Sequence, residues 1–267
     1  MNRYIVLYDP ALATMNKGDE IISEAINLEL RSLFPKHEII KVSLHQKKTK
    51  TINNIDLNAD YIFLGGTNML GSIYFKREQH FPSFFDFKNR MKTFILGAGW
   101  KTDGYYSKLY NKIKYKSILS NIGQYHSVRD SMSENILKSF GFTNTINTSC
   151  PTVWNLNQKL IKKVSKFKSN SAVFTLTDYS PNVDADLRMM RRIFDFYDDV
   201  YFWPQGMKDL DYLISLNSKM KPKIIPNILT EFDRLLSSEK IDFIGTRLHG
   251  AIRALQFGWR AILVNID

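Results

Sequence analysis

The sequence contains one cysteine, Cys150, in 267 residues. It therefore cannot form an internal disulfide or a cysteine-based zinc site, and a lone thiol is typical of proteins from reducing compartments. No apolar run approaches the length of a membrane span, and Asp9 and Pro10 interrupt the first apolar residues too early for a signal peptide. These absences predict a cytoplasmic protein that meets a membrane only at its surface.

Motifs for metals and common cofactors are also lacking. The glycine pairs in "LGGTN" and "LGAGW" do not form the GxGxxG pattern of dinucleotide-binding proteins. No Ser-His-Asp set or carboxylate pair stands out, and metal-ligand spacing is absent from four of the five histidines, which are His37, His45, His80 and His126. We therefore expect no metal and no required cofactor.

Acidic residues are the scarcer charge, with 26 Asp and Glu against 37 Lys and Arg, which gives a formal net charge of +11. This excess favours anionic partners: phosphorylated small molecules, an anionic membrane face or nucleic acid. The absence of a nucleic-acid-binding motif argues against nucleic acid. Two basic stretches, "KLYNKIKYKSIL" and "KLIKKVSKFK", fit contact with anionic lipid, but they equally fit amphipathic helices with solvated lysines.

Short β-rich runs alternate with helical patterns along the whole chain, including a helix at "FPSFFDFKNRM" and one capped by Ser131 and Glu134. This alternation is typical of parallel sheets built from βαβ units. A polar, basic stretch interrupts it and predicts a linker at 156–171 between two Rossmann-like domains, 1–155 and 172–267. The predicted fold is α/β with mostly parallel sheets, and the site is expected in a cleft between the domains.

The segment "GTRLHG" at 245–250 gives the strongest local signal for a site. It follows a predicted strand, so a period of two would send Arg247 and His249 to the same side. Gly250 permits close backbone approach where the next helix begins, and helix starts attract anions. A structural alternative remains open, in which Arg247 binds a neighbouring carboxylate and His249 is a partly buried, hydrogen-bonded histidine.

Arg129 in "HSVRDS" also follows a short predicted strand, just ahead of a helix. Two guanidiniums from different domains could then converge, and each can hold a carboxylate or phosphate through two hydrogen bonds. The adjacent Asp130 supports the alternative that Arg129 forms an ordinary surface ion pair.

Further polar and glycine residues lie at predicted strand-to-helix turns. Helix capping or a tight turn explains these residues as well as ligand binding does. These residues are Asn16, Gly18 and Asp19 in "MNKGDEI", Gly66 and Asn68 in "LGGTN", and Gln205 in "WPQG".

Taken together and in this order, "NKGDEIISEAI", "FLGGTNML", "LGAGW", "SVRDSMS", "WPQG" and "GTRLHGAIRAL" resemble the polysaccharide pyruvyl transferase family. The resemblance covers nearly the whole chain, and its most specific part is the R-x-H motif. Two departures stand out: Cys150 precedes Pro151 where many members have an acidic residue, and the sequence ends at Asp267 where the family usually continues into a helix.

The resemblance implies a two-domain GT-B-like enzyme that moves a pyruvyl group from phosphoenolpyruvate to a sugar of a cell-surface polysaccharide, usually as a ketal. The N-terminal domain would face the acceptor and the C-terminal domain the donor. The catalytic positions of the family fall on Arg247, His249 and Arg129. Asn16, Gly18, Asp19, Gly66, Asn68, Gln205 and Gly250 are then expected to bind substrates or shape the cleft.

Two other functions remain open at this point. A GT-B glycosyltransferase with a nucleotide-sugar donor would use the same basic cleft and histidine, and a non-catalytic protein could bind anions through its positive charge. The acceptor is expected to be a sugar or a lipid-linked oligosaccharide at the inner face of the membrane. The sequence indicates neither the acceptor sugar nor the oligomeric state.

Overall fold

The computed structural model describes residues 3–46, 48–71, 88–101 and 108–265. Strands and helices alternate along these residues, and the strands of each sheet pair in parallel. The chain is therefore an α/β protein with parallel sheets, as the alternating pattern predicts. It divides into two compact units, one of Met1–Thr14 with Ile22–Trp154 and one of Met15–Ile21 with Asn155–Asp267.

The first unit contains a four-stranded parallel sheet in the order β2-β1-β3-β5 and two short strand pairs, β4 with β6 and β7 with β8. Its strands are β1 (Tyr4–Asp9), β2 (Glu38–Ser43), β3 (Tyr61–Gly65), β4 (Leu70–Gly71), β5 (Thr93–Leu96), β6 (Trp100–Lys101), β7 (His126–Val128) and β8 (Thr145–Asn147). Its helices are α1 (Lys17–Leu33), which begins in the second unit, α2 (Lys50–Asn58), α3 (Lys108–Ile118) and α4 (Ser131–Ser139).

Strand β1 lies at the centre of this unit because both of its faces are apolar. Ile5 and Leu7 pack with Ile22 and Ile26 of α1, while Val6 points to the larger core on the other face. Burial on both faces is typical of strands in parallel sheets that helices cover. The alternation along β1 thus accounts for a core on each side of the sheet.

Helix α2 is absent from the sequence prediction. Ile52 and Ile55 pack into the core of the first unit, and local capping and a buried ion pair also stabilise the helix. The side chain of Thr49 accepts a hydrogen bond from the backbone N–H of Ile52. Asp56 accepts a hydrogen bond from Tyr8 at 2.6 Å and pairs with Lys48 at 2.7 Å. Tyr8 lies 48 positions from Asp56 in sequence, so no local pattern indicates that contact.

Two further helix predictions need comment. Asp130, not Ser131, caps α4, because the carboxylate of Asp130 accepts a hydrogen bond from the backbone N–H of Ser133 at 2.7 Å. The predicted capping box is therefore wrong by one residue. The helix predicted at "FPSFFDFKNRM" lies largely outside the described residues, and a short 3-10 helix covers Arg90–Lys92 at its end.

The second unit contains a five-stranded parallel sheet in the order β11-β10-β9-β12-β13. Its strands are β9 (Ser171–Thr175), β10 (Asp199–Phe202), β11 (Lys223–Ile224), β12 (Ile241–Gly245) and β13 (Ala261–Leu263). Its helices are α5 (Gln158–Ile161), within the stretch predicted as a linker, α6 (Val183–Phe196), α7 (Asp209–Ser215), α8 (Leu229–Ser238) and α9 (Leu248–Gln256).

The two central strands of this sheet, β9 and β12, are fully buried and send side chains to cores on both faces. Val173 and Phe243 pack on one face, where Trp203 stacks on Phe232 with ring centroids 3.9 Å apart. Phe174 packs on the opposite face. The carboxyl ends of β9 and β12 therefore lie side by side, and the loops that follow them carry the candidate site residues.

Among the described residues, no helix has both the length and the apolar character needed to cross a membrane.

Candidate functional site

Arg247 and His249 lie where β12 gives way to α9. Strand β12 ends at Gly245, and α9 begins at Leu248 with Arg247 as its N-cap residue, two residues earlier than predicted. The expectation that a strand period of two places both side chains on one side is therefore wrong, because His249 already belongs to the helix. The side chain of Arg247 is 4% exposed, whereas His249 is partly buried.

Arg247 binds two carboxylates, in agreement with the structural alternative considered for it. Its Nε donates to Oδ2 of Asp209 at 3.1 Å, and its Nη2 contacts Oδ1 of the same residue. Nη2 also donates to Oδ1 of Asp178 at 3.0 Å, and Nε to the carbonyl oxygen of Leu176 at 3.1 Å. One guanidinium thus faces two carboxylates on the second unit.

Asp209 is fully buried at the start of α7. Burial raises the pKa of its carboxyl group, while the Arg247 guanidinium and the backbone N–H of Gly206 oppose that rise. Gly206 donates to Oδ2 at 2.7 Å, and a Cβ at Gly206 would lie 2.6 Å from Nη2 of Arg247. The ion pair therefore requires glycine at 206.

Asp178 and Tyr179 follow β9 in the loop that precedes α6. The side chain of Asp178 is 24% exposed, and the ring of Tyr179 lies against Arg247, with 4.8 Å between the ring centroid and Cζ. Tyr179 itself is largely exposed to solvent. This loop therefore separates the guanidinium of Arg247 from water.

His249 lies against the first turn of α1. A Cβ added at Gly18 would be 3.0 Å from Nδ1 of His249 and 2.9 Å from Nε2 of Gln205. Such distances are shorter than ordinary van der Waals contact, so the imidazole reaches this position only because residue 18 is glycine. The structure thus brings Gly18 and His249 together, although 231 residues separate them in sequence.

Gln205 connects the loop before α1 to the start of α9. Its Nε2 donates to Oδ1 of Asn16 at 3.0 Å, and its Oε1 accepts from the backbone N–H of Gly250 at 3.0 Å. The carbonyl oxygen of Gln205 also accepts from the backbone N–H of Lys17 at 2.9 Å. Gln205 is buried, and its hydrogen bonds fix Asn16 and the backbone of Gly250, which is next to His249 in sequence.

Asn16 also organises the first turn of α1. Its Oδ1 accepts from the backbone N–H of Gly18 at 3.0 Å, and its carbonyl oxygen accepts from the backbone N–H of Asp19 at 3.0 Å. Asp19 is buried in that turn. The sequence prediction placed these three residues in the N-terminal domain, but by contacts Met15–Ile21 belong with the second unit.

Arg129 and Asn68 meet within the first unit. Nη2 of Arg129 donates to Oδ1 of Asn68, and the backbone N–H of Arg129 donates to the carbonyl oxygen of Ala98 at 3.0 Å. A Cβ at Gly99 would overlap both side chains. Asp130 is also near, with 3.7 Å between its Oδ2 and Nε of Arg129. The side chain of Arg129 is 23% exposed.

Gly66 has a packing role that accounts for its residue type. Its φ of +57° lies in the left-handed region, and a Cβ there would overlap Ile22 of α1. Close contact with α1 therefore explains Gly66 without a ligand.

Seven of the ten predicted site residues thus gather in the second unit: Arg247, His249, Gly250, Gln205, Asn16, Gly18 and Asp19. Arg129 and Asn68 form a separate pair in the first unit. Asp178 and Asp209 are absent from the predicted site. The sequence signal for them is weak: Asp178 directly follows the apolar run "AVFTLT", and Asp209 comes three residues after "WPQG".

The part of the chain that the structure describes contains no group of three or more His, Cys, Asp or Glu side chains arranged to hold a metal ion.

The fold and site define an α/β protein whose polar residues lie at the carboxyl ends of neighbouring parallel strands, the usual location of ligand sites in such folds. Residues 16–267 match the polysaccharide pyruvyl transferase family, and the chain belongs to that family. Membership indicates a transferase with a sugar acceptor. No curated protein gives a significant match to the chain.

Proposed function

We propose that this protein transfers a pyruvyl group from phosphoenolpyruvate to a sugar hydroxyl of a cell-surface polysaccharide or its lipid-linked precursor, and that the product is a pyruvate ketal. No cofactor is required, because phosphoenolpyruvate itself supplies the group that is transferred. The reaction would take place in the cytoplasm, with peripheral contact at the inner, anionic membrane face. The first unit would carry the acceptor, and the second unit would carry most of the residues that bind the donor.

The observation that carries this proposal is the combination of a titratable imidazole and a fixed cation at the start of α9. His249 is partly accessible, and its imidazole lies close to Gly18. Arg247, two residues earlier, is buried and anchored by Asp209. An imidazole titrates near neutral pH and suits general acid catalysis, while a guanidinium suits recognition of carboxylate or phosphate.

His249 acts as the general acid in this scheme. Protonated His249 donates its proton to the terminal carbon of phosphoenolpyruvate, which becomes a methyl group, and a sugar hydroxyl adds to the neighbouring carbon. The proton of that hydroxyl restores protonated His249. A second hydroxyl then attacks the same carbon, its C–O bond to phosphate breaks, and inorganic phosphate leaves with the remaining proton. Pyruvate is then joined to the sugar through two oxygens.

Arginines supply the positive charge that the donor needs. Phosphoenolpyruvate carries a carboxylate and a phosphate on a three-carbon frame, so it can be held through both ends. We assign one anionic group of the donor to Arg247, and Arg129, which donates a hydrogen bond to Asn68, is a second candidate cation for the donor. Asn16, Gln205 and Gly250 support His249 through their mutual hydrogen bonds.

Replacement of His249 tests the acid role. His249→Ala should bind phosphoenolpyruvate about as tightly as the wild type, while phosphate release in the presence of glycosides with two free neighbouring hydroxyls falls by ~10² to 10⁴. His45→Ala is the matched control, since His45 lies in the first unit and contacts the carbonyl oxygen of Pro10. Equal losses of binding and turnover in His249→Ala would make His249 a ligand of the donor and remove it from the acid role.

A further inference from the structure

The two carboxylates that contact Arg247 differ in how firmly they are held. Asp209 is fully buried and contacts the guanidinium of Arg247 through both of its carboxylate oxygens. It also accepts a hydrogen bond from the backbone N–H of Gly206 at 2.7 Å. Removing Asp209 from this position would leave a buried charge without its partner, which is strongly unfavourable. Asp209 is therefore a permanent partner of Arg247.

Asp178 is held much less firmly. Its side chain makes one contact with the guanidinium, from Oδ1 to Nη2 at 3.0 Å, and it is 24% exposed. Its backbone N–H donates to Oδ1 of Asp209 at 3.2 Å, so the main chain stays in place without the side-chain contact. Because water already reaches the carboxylate, its release from Arg247 exchanges an ion pair for hydration at small net cost.

The chemistry of the contact limits what can replace Asp178. A guanidinium that binds one carboxylate along one edge can bind a second anion through its other N–H groups, and a ligand carboxylate or phosphate has the same requirements as the carboxylate of Asp178. The two negative charges of Asp209 and Asp178 exceed the single positive charge of Arg247. An incoming anion would therefore meet net negative charge unless Asp178 moves away.

We propose that Asp178 competes with an anionic group of phosphoenolpyruvate for Nη2 of Arg247, and that this competition sets the affinity and the selectivity for the donor. The inference rests on the proposed function, because it takes phosphoenolpyruvate as the donor. Only a ligand that binds Arg247 better than a side-chain carboxylate displaces Asp178, so weak monoanions such as pyruvate are disfavoured. Tyr179, which lies on the guanidinium beside Asp178, moves with it.

Titration calorimetry with phosphoenolpyruvate tests this competition. Asp178→Asn keeps the shape of the side chain but removes its charge, and a neutral acceptor binds a guanidinium less strongly than a carboxylate does. We expect phosphoenolpyruvate to bind Asp178→Asn about 5- to 10-fold more tightly than the wild type. Asp178→Ala, which removes the acceptor altogether, should bind at least as tightly, and pyruvate should gain affinity in both variants.

Asp195→Asn is the matched control. Asp195 is exposed in the last turn of α6, and its replacement changes the net charge by the same amount as Asp178→Asn. The affinity of Asp195→Asn for phosphoenolpyruvate should stay within about twofold of the wild type, as expected for a screened surface charge. If Asp178→Asn and Asp195→Asn gained the same affinity for phosphoenolpyruvate, the effect would come from overall charge, and the proposed competition would be overturned.

Thermal unfolding confirms that each variant is folded before its affinity is compared. If the wild type binds phosphoenolpyruvate and both Asp178 variants bind it equally or more weakly, Asp178 supports the site and the inference is overturned while the proposed donor stands. If neither the wild type nor the variants bind phosphoenolpyruvate, the proposed donor fails and the inference fails with it. Tighter binding confined to the Asp178 variants supports both.

Discussion

The fully buried carboxylate of Asp209 holds the guanidinium of Arg247 through both oxygens, across 38 residues of sequence. The two residues lie after two strands of the same sheet, Asp209 at the start of α7 after β10 and Arg247 at the start of α9 after β12. This pairing fixes the position of the cation in the R-x-H motif. In the proposed function, a ligand at Arg247 would have to use the N–H groups that Asp209 does not occupy.

Asp209→Ala should lower the free energy of unfolding by about 3 to 5 kcal/mol, because it leaves a buried guanidinium with only the partly exposed Asp178 as a carboxylate partner. Urea unfolding of the purified variant measures the change. Asp211→Ala is the control, since Asp211 is exposed in the first turn of the same helix. That variant should stay within about 1 kcal/mol of the wild type. Equal losses in both variants would contradict a special role for the Asp209–Arg247 pair.

Gly18→Ala should reduce turnover by about 10- to 100-fold, because the added methyl group displaces the imidazole of His249 and small displacements at a reacting group are costly. The added Cβ would also lie 2.9 Å from Nε2 of Gln205, so thermal unfolding of the variant separates the loss of turnover from a loss of stability. Phosphate release from phosphoenolpyruvate with a glycoside acceptor measures turnover. Gly71→Ala, where a Cβ would meet Lys101 at an ordinary 3.5 Å, should retain activity. Full activity in Gly18→Ala would show that the position of His249 does not limit turnover.

Lys114 in α3 makes the stability of the protein depend on pH. Burial lowers the pKa of its ammonium group to about 7, well below the ordinary value near 10.4 of an unfolded chain. Between these values the unfolded chain binds the proton and the folded protein does not, so the free energy of unfolding rises as the pH increases through this window.

Lys114→Met should remove this dependence. The wild type should gain up to about 1.4 kcal/mol per pH unit relative to the variant between pH 7 and 9, and the variant should be the more stable of the two at pH 7 and below. Urea unfolding at several pH values provides the comparison. Parallel curves for the two proteins would mean that Lys114 keeps an ordinary pKa in the folded state.

The parallel α/β fold follows from the sequence because alternating strand and helix patterns are local and repeat along the chain. The position of Arg247 and His249 beside a strand end follows for the same reason. Helix α2 does not follow, since its few apolar residues are supplemented by a capping threonine and by the buried Asp56, whose partner Tyr8 is distant in sequence.

The contacts between the site residues also cannot be predicted from local sequence patterns. Asp178 approaches Arg247 because β9 and β12 are neighbours in the sheet, and Asp209 follows β10, which pairs with the other edge of β9. The spacing between these residues in sequence carries no sign of those contacts. The grouping of Asn16 with Gln205 is similar, because it depends on an antiparallel bridge between Asn16 and Gly206. Local capping accounts for Asn16 in the sequence, so the sequence does not indicate its contact with Gln205.

The donor is the central claim, and a thermal-shift titration tests it most directly. The wild type is titrated with phosphoenolpyruvate, UDP-glucose and inorganic phosphate, and the same ligands are applied to Arg129→Ala, because Arg129 is the more exposed of the two proposed arginines. A ligand that binds only the folded protein raises the melting temperature. The account predicts a rise with phosphoenolpyruvate that exceeds the rise with phosphate and shrinks in Arg129→Ala. A rise with UDP-glucose and none with phosphoenolpyruvate would contradict it and favour a glycosyltransferase.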